Sequence, residues 1–424
     1  MEIRPFRGWH YAQTDISSLI APPYDVLSLQ DKQRLLAASQ NNIVAVDLPH
    51  VPPKDVGPQE EYRLAAELLE KWKSGGVLVQ EECPAVYAYE QTFRWGVSTF
   101  RRRALVAGVR ATPLGQDVIP HEHTFSGPKA DRLKLTQYTQ MQLSPIFGFF
   151  DDAGGVVERL FAGLCCPMLQ GELGGVKEAM WAVTDPAVID GIKAALRQTP
   201  VFIADGHHRY TTALNYIEQQ RASGQAAADA EVNFVMFALV PRQSSGLMVL
   251  PTHRIIRGLG ADFTLKGLRE TATEFQWRQM QIPADPADIE TTLKGFGNSA
   301  MGFVEQSSGV LHVATLADPK AMQAVAPDEP HLWSLDVAIL HKILIEKHLG
   351  PYRAAGCSID YTPDAAQSLE ACRCGQAQLA CLLQASPLET IEQVARGGAV
   401  MPHKSTYFYP KLSTGMVLKP LSCR

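Results

Sequence analysis

The run Asp205-Gly206-His207-His208-Arg209 is the densest group of side chains that could bind a ligand or take part in a reaction. It follows the short apolar segment 201–204, which predicts a buried strand, and precedes apolar residues with the spacing of a helix face. The first turn of a helix has unpaired backbone N–H groups and the positive end of the helix dipole, so it attracts anions. Gly206 would let an anion approach the backbone, and the three residues after it would add cationic donors. The run therefore predicts a phosphate-binding turn.

Asp205 has two interpretations from its position before this helix. Its carboxylate could cap the helix, or it could contact a magnesium ion or a substrate hydroxyl. Capping accounts for Asp205 but not for the three donors at His207, His208 and Arg209. The phosphate-binding turn is therefore the favoured interpretation, with Thr211 as a further phosphate ligand in the first turns of the helix.

A second polar group is His121-Glu122-His123-Thr124, which several charged residues follow within ten positions. A carboxylate beside cations suits a general base that acts on a charged substrate. Glu122 is therefore the candidate base, and Lys129 and Arg132 are candidate phosphate ligands. A solvated polar loop with no function is the plainer alternative.

A metal site is the rival interpretation of the same histidines. His121 and His123 have the alternate spacing of two ligands on one face of a strand, and His207 and His208 could complete a zinc or iron site. The sequence alone leaves this alternative open.

Two further polar segments could contact a substrate or close over it. A polar segment near the C-terminus could cover an anion, although a solvated strand explains it equally well. Its residues are Lys404, Ser405, Thr406, Tyr407 and Lys411. His253-Arg254 follows a predicted strand and could supply another cation. Substrate-binding or closing roles are thus considered for His121, His123, Thr124, His253, Arg254, Lys404, Ser405 and Thr406.

The elements that must position these groups alternate between helices and strands, which predicts a mixed α/β fold. A helix over Gln59–Ser74 is indicated by apolar residues at helical spacing, and glycines follow it. Ile43–Leu48 reads as an extended piece, and Pro145–Phe150 as an apolar strand. At about 150 residues per domain, 424 residues suggest two or three structural units.

Composition excludes several classes of protein. Hydrophobic residues make up 46% and charged residues 20% of the chain, which is too apolar for a disordered protein. A net charge of -5 argues against a nucleic-acid partner. No apolar run is long enough to cross a bilayer and the first residues lack the features of a secretion signal, so a cytoplasmic protein without membrane contact is expected. No P-loop, dinucleotide-binding or α/β-hydrolase motif is present in the sequence.

Six motifs in order along the chain resemble the bacterial and archaeal domain-of-unknown-function family numbered one thousand and fifteen. They are Ala21–Val26, His121–Thr124, Pro128–Arg132, Ile203–Tyr210, Pro251–Arg254 and Met401–Lys411. The resemblance covers essentially the whole chain.

A more distant and local resemblance concerns two of these motifs. Asp205–Tyr210 is similar to the phosphate-binding turn of the ParB, sulfiredoxin and free-serine-kinase superfamily, and Pro120–Glu122 is similar to the segment that bears the catalytic glutamate of the free serine kinases. The resemblance implies that Glu122 accepts a hydroxyl proton, that Asp205 assists this base or holds magnesium, and that the turn holds nucleotide phosphates. The residue at the position of sulfiredoxin's reactive cysteine is His207, which argues against repair of sulfinic acids.

These observations predict three regions: an N-terminal α/β region (1–115), a ParB/sulfiredoxin-like catalytic core (116–260), and a C-terminal α/β region that contributes a closing segment (261–424). The leading hypothesis is a phosphotransferase that uses ATP or ADP with Mg²⁺ and acts on a hydroxyl of free L-serine or a related metabolite. A ParB-like nucleotide-binding regulatory module and a metal-dependent hydrolase are the alternatives. The oligomeric state stays open, with a homodimer as one option.

Overall fold

The computed structural model describes residues 1–52, 55–122, 124, 126–306, 308–318 and 320–422. The chain divides into two compact units: unit 1 contains Met1–Met248 with Pro410–Arg424, and unit 2 contains Val249–Tyr409. Both units combine helices with sheets, which confirms the expected mixed α/β class. The three regions expected from the sequence stay a prediction.

Unit 1 contains helices, one large sheet and further strands that lie in separate two-stranded sheets. The helices are α1 (Leu29–Ala38), α2 (Val44–Asp47), α3 (Gln59–Ser74), α4 (Ser126–Thr139), α5 (Val156–Phe161), α6 (Pro186–Leu196) and α7 (His207–Ala222). The strands are β1 (Ile3–Arg4), β2 (Trp9–Tyr11), β3 (Leu78–Gln80), β4 (Val86–Trp95), β5 (Ser98–Arg110), β6 (Val118–Ile119), β7 (Met141–Gln142), β8 (Ile146–Phe150), β9 (Leu169–Leu173), β10 (Val176–Val183), β11 (Val201–Asp205) and β12 (Phe234–Pro241). Of these, β2, β3 and β7 lie in the two-stranded sheets.

The large sheet has the strand order β6-β11-β8-β12-β5-β4-β10-β9, and β1 pairs with β5. Its parallel pairs are β6 with β11 and β8 with β12, and the other pairs are antiparallel. β8 and β12 are buried along nearly their whole length, which explains why they are continuous apolar runs rather than alternating ones. Residues 419–420 near the C-terminus pair with β7.

The predicted helix over Gln59–Ser74 is confirmed as α3, which buries Tyr62, Ala65, Leu69 and Trp72 on one face. The expected extended piece at Ile43–Leu48 is wrong, because Val44–Asp47 forms the short helix α2. Asn42 accounts for the difference: its side chain accepts a hydrogen bond from Val44 N–H and donates to the carbonyls of Ser18 and Ile20. These local hydrogen bonds of Asn42, which precedes the N-cap residue Ile43, override the β-propensity of the apolar run.

Unit 2 contains a second sheet with the order β15-β17-β16-β19-β14-β18, all of whose pairs are antiparallel. The strands that follow β12 are β13 (Met248–Leu250), β14 (His253–Leu259), β15 (Phe275–Gln281), β16 (Met301–Glu305), β17 (Val310–Leu316), β18 (Arg353–Thr362), β19 (Leu379–Leu382) and β20 (Tyr407–Tyr409). The helices are α8 (Leu265–Thr271), α9 (Ile289–Lys294), α10 (Lys320–Val325), α11 (Asp336–Ile339), which continues as a π-helix (Leu340–His348), α12 (Ala365–Arg373) and α13 (Leu388–Arg396).

None of the helices in the described part of the chain combines the length and the apolar character that crossing a bilayer requires.

Candidate functional site

Two parallel strands bring the two predicted motifs to one edge of the sheet in unit 1. β6 pairs in parallel with β11, with Val118 opposite Val201 and Ile119 opposite Phe202. The carboxyl ends of parallel strands lie on the same side of a sheet, which is where ligands bind in open α/β folds. The segment that carries Glu122 follows β6, and Gly206 follows β11. The sequence motifs, separated by about 80 positions, are therefore neighbours.

The helices after these strands, α4 and α7, pack side by side and run in the same direction. Near their starts, Thr212 donates a hydrogen bond to the carbonyl of Lys129 at 3.4 Å, and near their ends Gln137 donates to Gln219 at 2.9 Å. Residue numbers rise together in both contacts, so the two N-termini lie at the same end. Each N-terminus carries a partial positive charge and unpaired N–H groups, and two of them together favour an anion more than one does.

A direct contact joins the two motifs. The backbone N–H of His121 donates a hydrogen bond to Nε2 of His207 at 3.2 Å, and the two rings meet edge to face with centroids 4.6 Å apart. Nδ1 of His121 lies 2.7 Å from the carbonyl oxygen of Ile203. Because Nε2 of His207 accepts a hydrogen bond, a neutral His207 carries its proton on Nδ1.

Both histidines are neutral at pH 7. Burial lowers the pKa of His121 to about 4, and burial also lowers the pKa of His207 well below its usual value. The expectation that His207 adds a cationic donor is therefore wrong, because the ring is 7% exposed and serves as a hydrogen-bond acceptor. His208, the next residue, is half-buried.

Gly206 is the N-cap residue of α7, with φ 102° and ψ 24°, a conformation that favours glycine. Its carbonyl accepts the hydrogen bond from Tyr210 N–H that closes the first turn. Since the N-cap residue is Gly206 and no side-chain cap hydrogen bond is present here among the described residues, the interpretation of Asp205 as a helix cap is wrong. The side chain of Thr211 donates to the carbonyl of His207 at 3.0 Å.

Asp205 instead forms two ion pairs. Its Oδ1 lies 2.6 Å from Nζ of Lys411, and its Oδ2 lies 2.7 Å from Nη2 of Arg209. Burial opposes ionisation of Asp205, but the attraction of Lys411 and Arg209 outweighs it and holds the pKa of the carboxyl well below its usual range. Arg209 also donates to the hydroxyl of Ser144 at 3.0 Å and to the carbonyl of Pro145 at 2.6 Å. Arg209 thus ties the turn to the start of β8.

A buried network in unit 1 positions Lys411. Gln91 donates to the carbonyl of Lys411 at 3.1 Å, and Arg102 donates to the carbonyl of Pro410. Beyond Lys411, Ser413 donates to Glu178, which also accepts hydrogen bonds from Tyr89 and Gln91. Contacts on both sides of Lys411 therefore hold the backbone from which its side chain meets Asp205.

The predicted phosphate ligand Arg132 lies in a second buried cluster of unit 1. Its guanidinium forms an ion pair with Asp131 at 2.6 Å, donates to the carbonyl of Asp47 at 2.6 Å and lies over the ring of Tyr24 at 4.1 Å. Tyr62 donates to the other oxygen of Asp131 at 2.5 Å. Arg132 is 5% exposed, so the alternative of a solvated loop is wrong for this residue. Lys129, one turn earlier, is half-buried.

The remaining predicted residues fall in several places. Glu122 and Thr124 are half-buried beside His121, and His123 lies outside the described residues. His253 and Arg254 are buried in unit 2, where His253 accepts a hydrogen bond from Leu383 N–H and Arg254 donates to the carbonyls of Thr252 and Lys404. Ser405 donates to the carbonyl of Pro402 in the same unit, and Thr406 is half-buried there. Closing roles for these residues stay predictions.

The metal interpretation finds no support in the described part of the chain, where no group of three or more His, Cys, Asp or Glu side chains could hold a metal ion. Asp205 was predicted as a magnesium ligand. Both of its oxygens face a cation within 2.7 Å, and a third, divalent cation beside Lys411 and Arg209 would be repelled. Asp205 in this arrangement does not fit Mg²⁺.

Replacing Gly206 by Ala is expected to lower the free energy of unfolding by about 1–2 kcal/mol, because a side chain at this φ is strained. The added Cβ would also lie 3.1 Å from the guanidinium of Arg209. Gly224→Ala is a matched control, because Gly224 has φ 73° and no atom within 4 Å of a new Cβ. Denaturant unfolding of both variants should show the larger loss at Gly206. Equal losses would show that the contact with Arg209 is unimportant.

Comparison with known protein families identifies the family of this chain. The profile of the family described as "Protein of unknown function (DUF1015)" matches residues 3–338, and the chain belongs to this family. No curated protein matches the chain.

Three solved structures have low similarity to this chain. A free serine kinase variant in complex with AMP is 11% identical with a TM-score of 0.38, over 75% of this chain and 91% of that chain. A conserved hypothetical protein from Pyrococcus furiosus is 12% identical with a TM-score of 0.34, over 74% and 95%. SbnI with a C-terminal truncation, from Staphylococcus aureus, is 12% identical with a TM-score of 0.35, over 74% and 87%. TM-scores this low carry no argument about function, which must be inferred from the residues of this chain.

Proposed function

We propose that the protein is a nucleotide-dependent phosphotransferase. It binds the phosphates of ATP or ADP at the paired N-termini of α4 and α7 and transfers a phosphoryl group to a hydroxyl of free L-serine or a related small metabolite. The observation that carries the proposal is the pair of parallel strand–helix units β6–α4 and β11–α7, whose loops share one sheet edge. Helix N-termini at strand ends are established phosphate sites in other folds.

The electrostatics of the turn support an anionic ligand. Asp205 is one carboxylate between two cations, so these three side chains by themselves contribute a single positive charge beside the helix N-termini. The neutral His121 and His207 add no negative charge to it. In this proposal Asp205 positions Lys411 and Arg209 beside the helix N-termini, while backbone N–H groups after Gly206 bind phosphate oxygens.

Glu122 is the proposed general base, because it directly follows His121, whose backbone N–H contacts the turn through His207. In the transfer step the acceptor's hydroxyl oxygen forms a bond to the terminal phosphorus of the nucleotide. The bond from that phosphorus to the bridging oxygen breaks, and Glu122 takes the hydroxyl proton. The similarity of Pro120–Glu122 to the catalytic segment of free serine kinases supports serine as the acceptor.

Magnesium normally accompanies nucleotide phosphates and neutralises part of their charge. Since Asp205 does not fit Mg²⁺, we assign no residue of this chain to hold it, and no step of the proposed transfer depends on a metal bound to the protein.

The direct test incubates the purified protein with ATP or ADP, Mg²⁺ and L-serine and measures phosphoserine by mass spectrometry. A panel of small hydroxy acids replaces serine in parallel reactions, and nucleotide affinity is measured separately by calorimetry. Phosphorylated product with serine or a panel member is expected. Tight nucleotide binding without product from any acceptor would reject phosphoryl transfer and favour the nucleotide-binding regulatory module, whereas absence of nucleotide binding would reject both.

A further inference from the structure

A cavity of about 70 Å³ lies beside the turn in unit 1. Since about 10–15 Å³ is enough for one water molecule, the cavity suits a ligand with roughly five to seven non-hydrogen atoms. Its apolar wall includes Met141 and Leu143, and its charged side chains are Arg132, Arg209 and Asp47. An apolar cavity with a few polar groups is the usual form of a small-molecule site. None of the roles proposed above uses this cavity.

Arg132 has an unused hydrogen-bond donor in the cavity wall. Its side chain is buried, and its Nη2 makes no hydrogen bond with any described residue. Nη2 lies 2.6 Å from Oδ2 of Asp131, but the nitrogen that donates to this oxygen is Nε, at 2.8 Å. Nη1 donates to the carbonyl of Asp47. A buried donor without an acceptor is costly, and an oxygen atom of a ligand would remove this cost.

Two neutral side chains of the same wall also have unused donors. Oγ of Ser144 accepts a hydrogen bond from Nη1 of Arg209 at 3.0 Å, and its own hydroxyl donates to none of the described residues. Oε1 of Gln142 accepts a hydrogen bond from Met236 N–H at 2.7 Å, while Nε2 has no acceptor in the described part of the chain. The wall therefore offers a guanidinium, a hydroxyl and an amide as donors to a ligand.

The charges of the wall favour an anion. Arg132 and Arg209 contribute two positive charges, and Asp47 contributes at most one negative charge. Burial raises the pKa of Asp47 despite the opposing effect of the two arginines, which favours its neutral form. A carboxylate has two oxygens that accept several hydrogen bonds, so it matches both the charge and the donors of the wall.

We propose that this cavity binds the carboxylate of a short-chain organic acid. The carboxylate accepts a hydrogen bond from Nη2 of Arg132, with Ser144 and Gln142 as further donors, and the carbon chain contacts the apolar wall at Met141 and Leu143. This binding does not require phosphoryl transfer. It is measured without nucleotide, so that its failure and the failure of the proposed enzymatic activity are separate results.

The test uses butyrate, 1-butanol and butylammonium, which share a carbon chain, together with acetate. Each probe is titrated into the full-length protein at pH 7 and followed by saturation-transfer NMR. We expect butyrate to bind at least about tenfold more tightly than 1-butanol, since hydrogen bonds between charged groups are stronger than neutral ones. Butylammonium, which would meet two arginines, should bind most weakly. Acetate should bind about tenfold more weakly than butyrate, because it has two fewer methylene groups to bury.

Three variants and one control separate the site from general effects. Arg132→Met should reduce butyrate affinity at least about tenfold and remove the preference for butyrate over 1-butanol. Ser144→Ala should reduce butyrate affinity about tenfold, while Arg209 keeps its hydrogen bond to Pro145. The control is Arg34→Met, at an arginine that also pairs with an aspartate but is 77% exposed on α1. It should change nothing.

The third variant, Ala213→Leu, adds volume at another position of the cavity wall and should weaken butyrate and 1-butanol alike. Butyrate that binds normally to a folded Ala213→Leu protein would contradict the location of the site.

Equal affinity of butyrate and 1-butanol for the unaltered protein would overturn the proposal. Absence of butyrate binding would also overturn it and would mean that the cavity holds water only. Unchanged butyrate affinity in a folded Arg132→Met protein would exclude the assigned donor. If Arg132→Met does not fold, as judged by thermal unfolding, the probe selectivity of the unaltered protein and the effect of Ser144→Ala decide the question.

Discussion

Replacing Glu122 by Gln is expected to lower the rate of phosphoserine formation by about 10²–10⁴-fold, the contribution of a general base to proton transfer. The amide keeps the shape of the side chain but cannot accept the hydroxyl proton. Nucleotide affinity should be unchanged, because the phosphates are proposed to bind to the N-termini of α4 and α7. Single-turnover phosphoserine formation and calorimetric titration with nucleotide measure the two quantities separately.

Glu172→Gln is the control for this experiment, since Glu172 is an exposed glutamate on β9. It should retain full activity. A Glu122→Gln protein that forms phosphoserine at the unaltered rate would remove the general base from the mechanism. Loss of nucleotide affinity together with activity would instead indicate that Glu122 maintains the structure of the turn.

Replacing Asp205 by Ala is expected to lower the free energy of unfolding at pH 7 by about 3 kcal/mol, at the lower end of the cost of removing one partner from a buried ion pair. The lower end applies because the Asp205 side chain is 18% exposed. The loss arises because the partly buried cations of Lys411 and Arg209 would each lose the ion pair with Asp205. Urea unfolding measures the difference between the two proteins.

The effect of Asp205→Ala should depend on pH in a defined direction. The ion pairs hold the pKa of Asp205 below its value in the unfolded chain, which is about 3.9. The stabilisation is therefore fully present above about pH 4 and is lost as the pH falls below that value. The difference in stability between the unaltered protein and the variant should shrink in acid, and a difference that grows there would contradict the assigned ion pairs.

A double-mutant cycle tests whether Lys411 is a partner of Asp205. Lys411→Met alone should lower the free energy of unfolding less than Asp205→Ala does, because Asp205 keeps its ion pair with Arg209. In the Asp205→Ala background Lys411→Met should lower the free energy of unfolding less than it does in the unaltered protein, since the ion pair with Asp205 is already gone. Additive effects of the two substitutions would mean that Lys411 and Asp205 do not interact in solution.

The sequence predicted the local part of the site well. The strand–turn–helix unit around Gly206 follows from an apolar run, a glycine and a helical period, all of which lie within about twenty positions. The structure confirms it as β11 and α7. The parallel pairing of β6 with β11 was not predicted, because two residues of β6 give no periodic signal.

Charge states were predicted less well than positions. His207 looked like a cation because a histidine near a helix N-terminus was expected to contact phosphate, but its burial against His121 makes it neutral. Burial depends on residues that are distant in the sequence, so a motif cannot report it. Arg209 was likewise expected to face a ligand, and its bonds to Ser144 and Pro145 come from a different segment.

Asp47 was missed altogether. It ends an apolar segment, Ile43–Leu48, that reads as extended, and a single acidic residue there carries no pattern. Its short helix follows the hydrogen-bonded turn at Asn42, and its contact with Arg132 arises from the packing of elements that are far apart in the chain. Lys411 was included in a polar segment, but its pairing with Asp205 could not be derived from composition.

The two separate segments that make up unit 1 have a consequence for biosynthesis. Lys411 leaves the ribosome only after residues 249–409 have been translated, so a nascent chain that ends anywhere in that interval contains Asp205 without its lysine partner. The network that holds Pro410, Lys411 and Ser413 is absent at the same stage. The turn at Asp205 therefore reaches its final charge balance only late in translation, after the chain of unit 2 has been made.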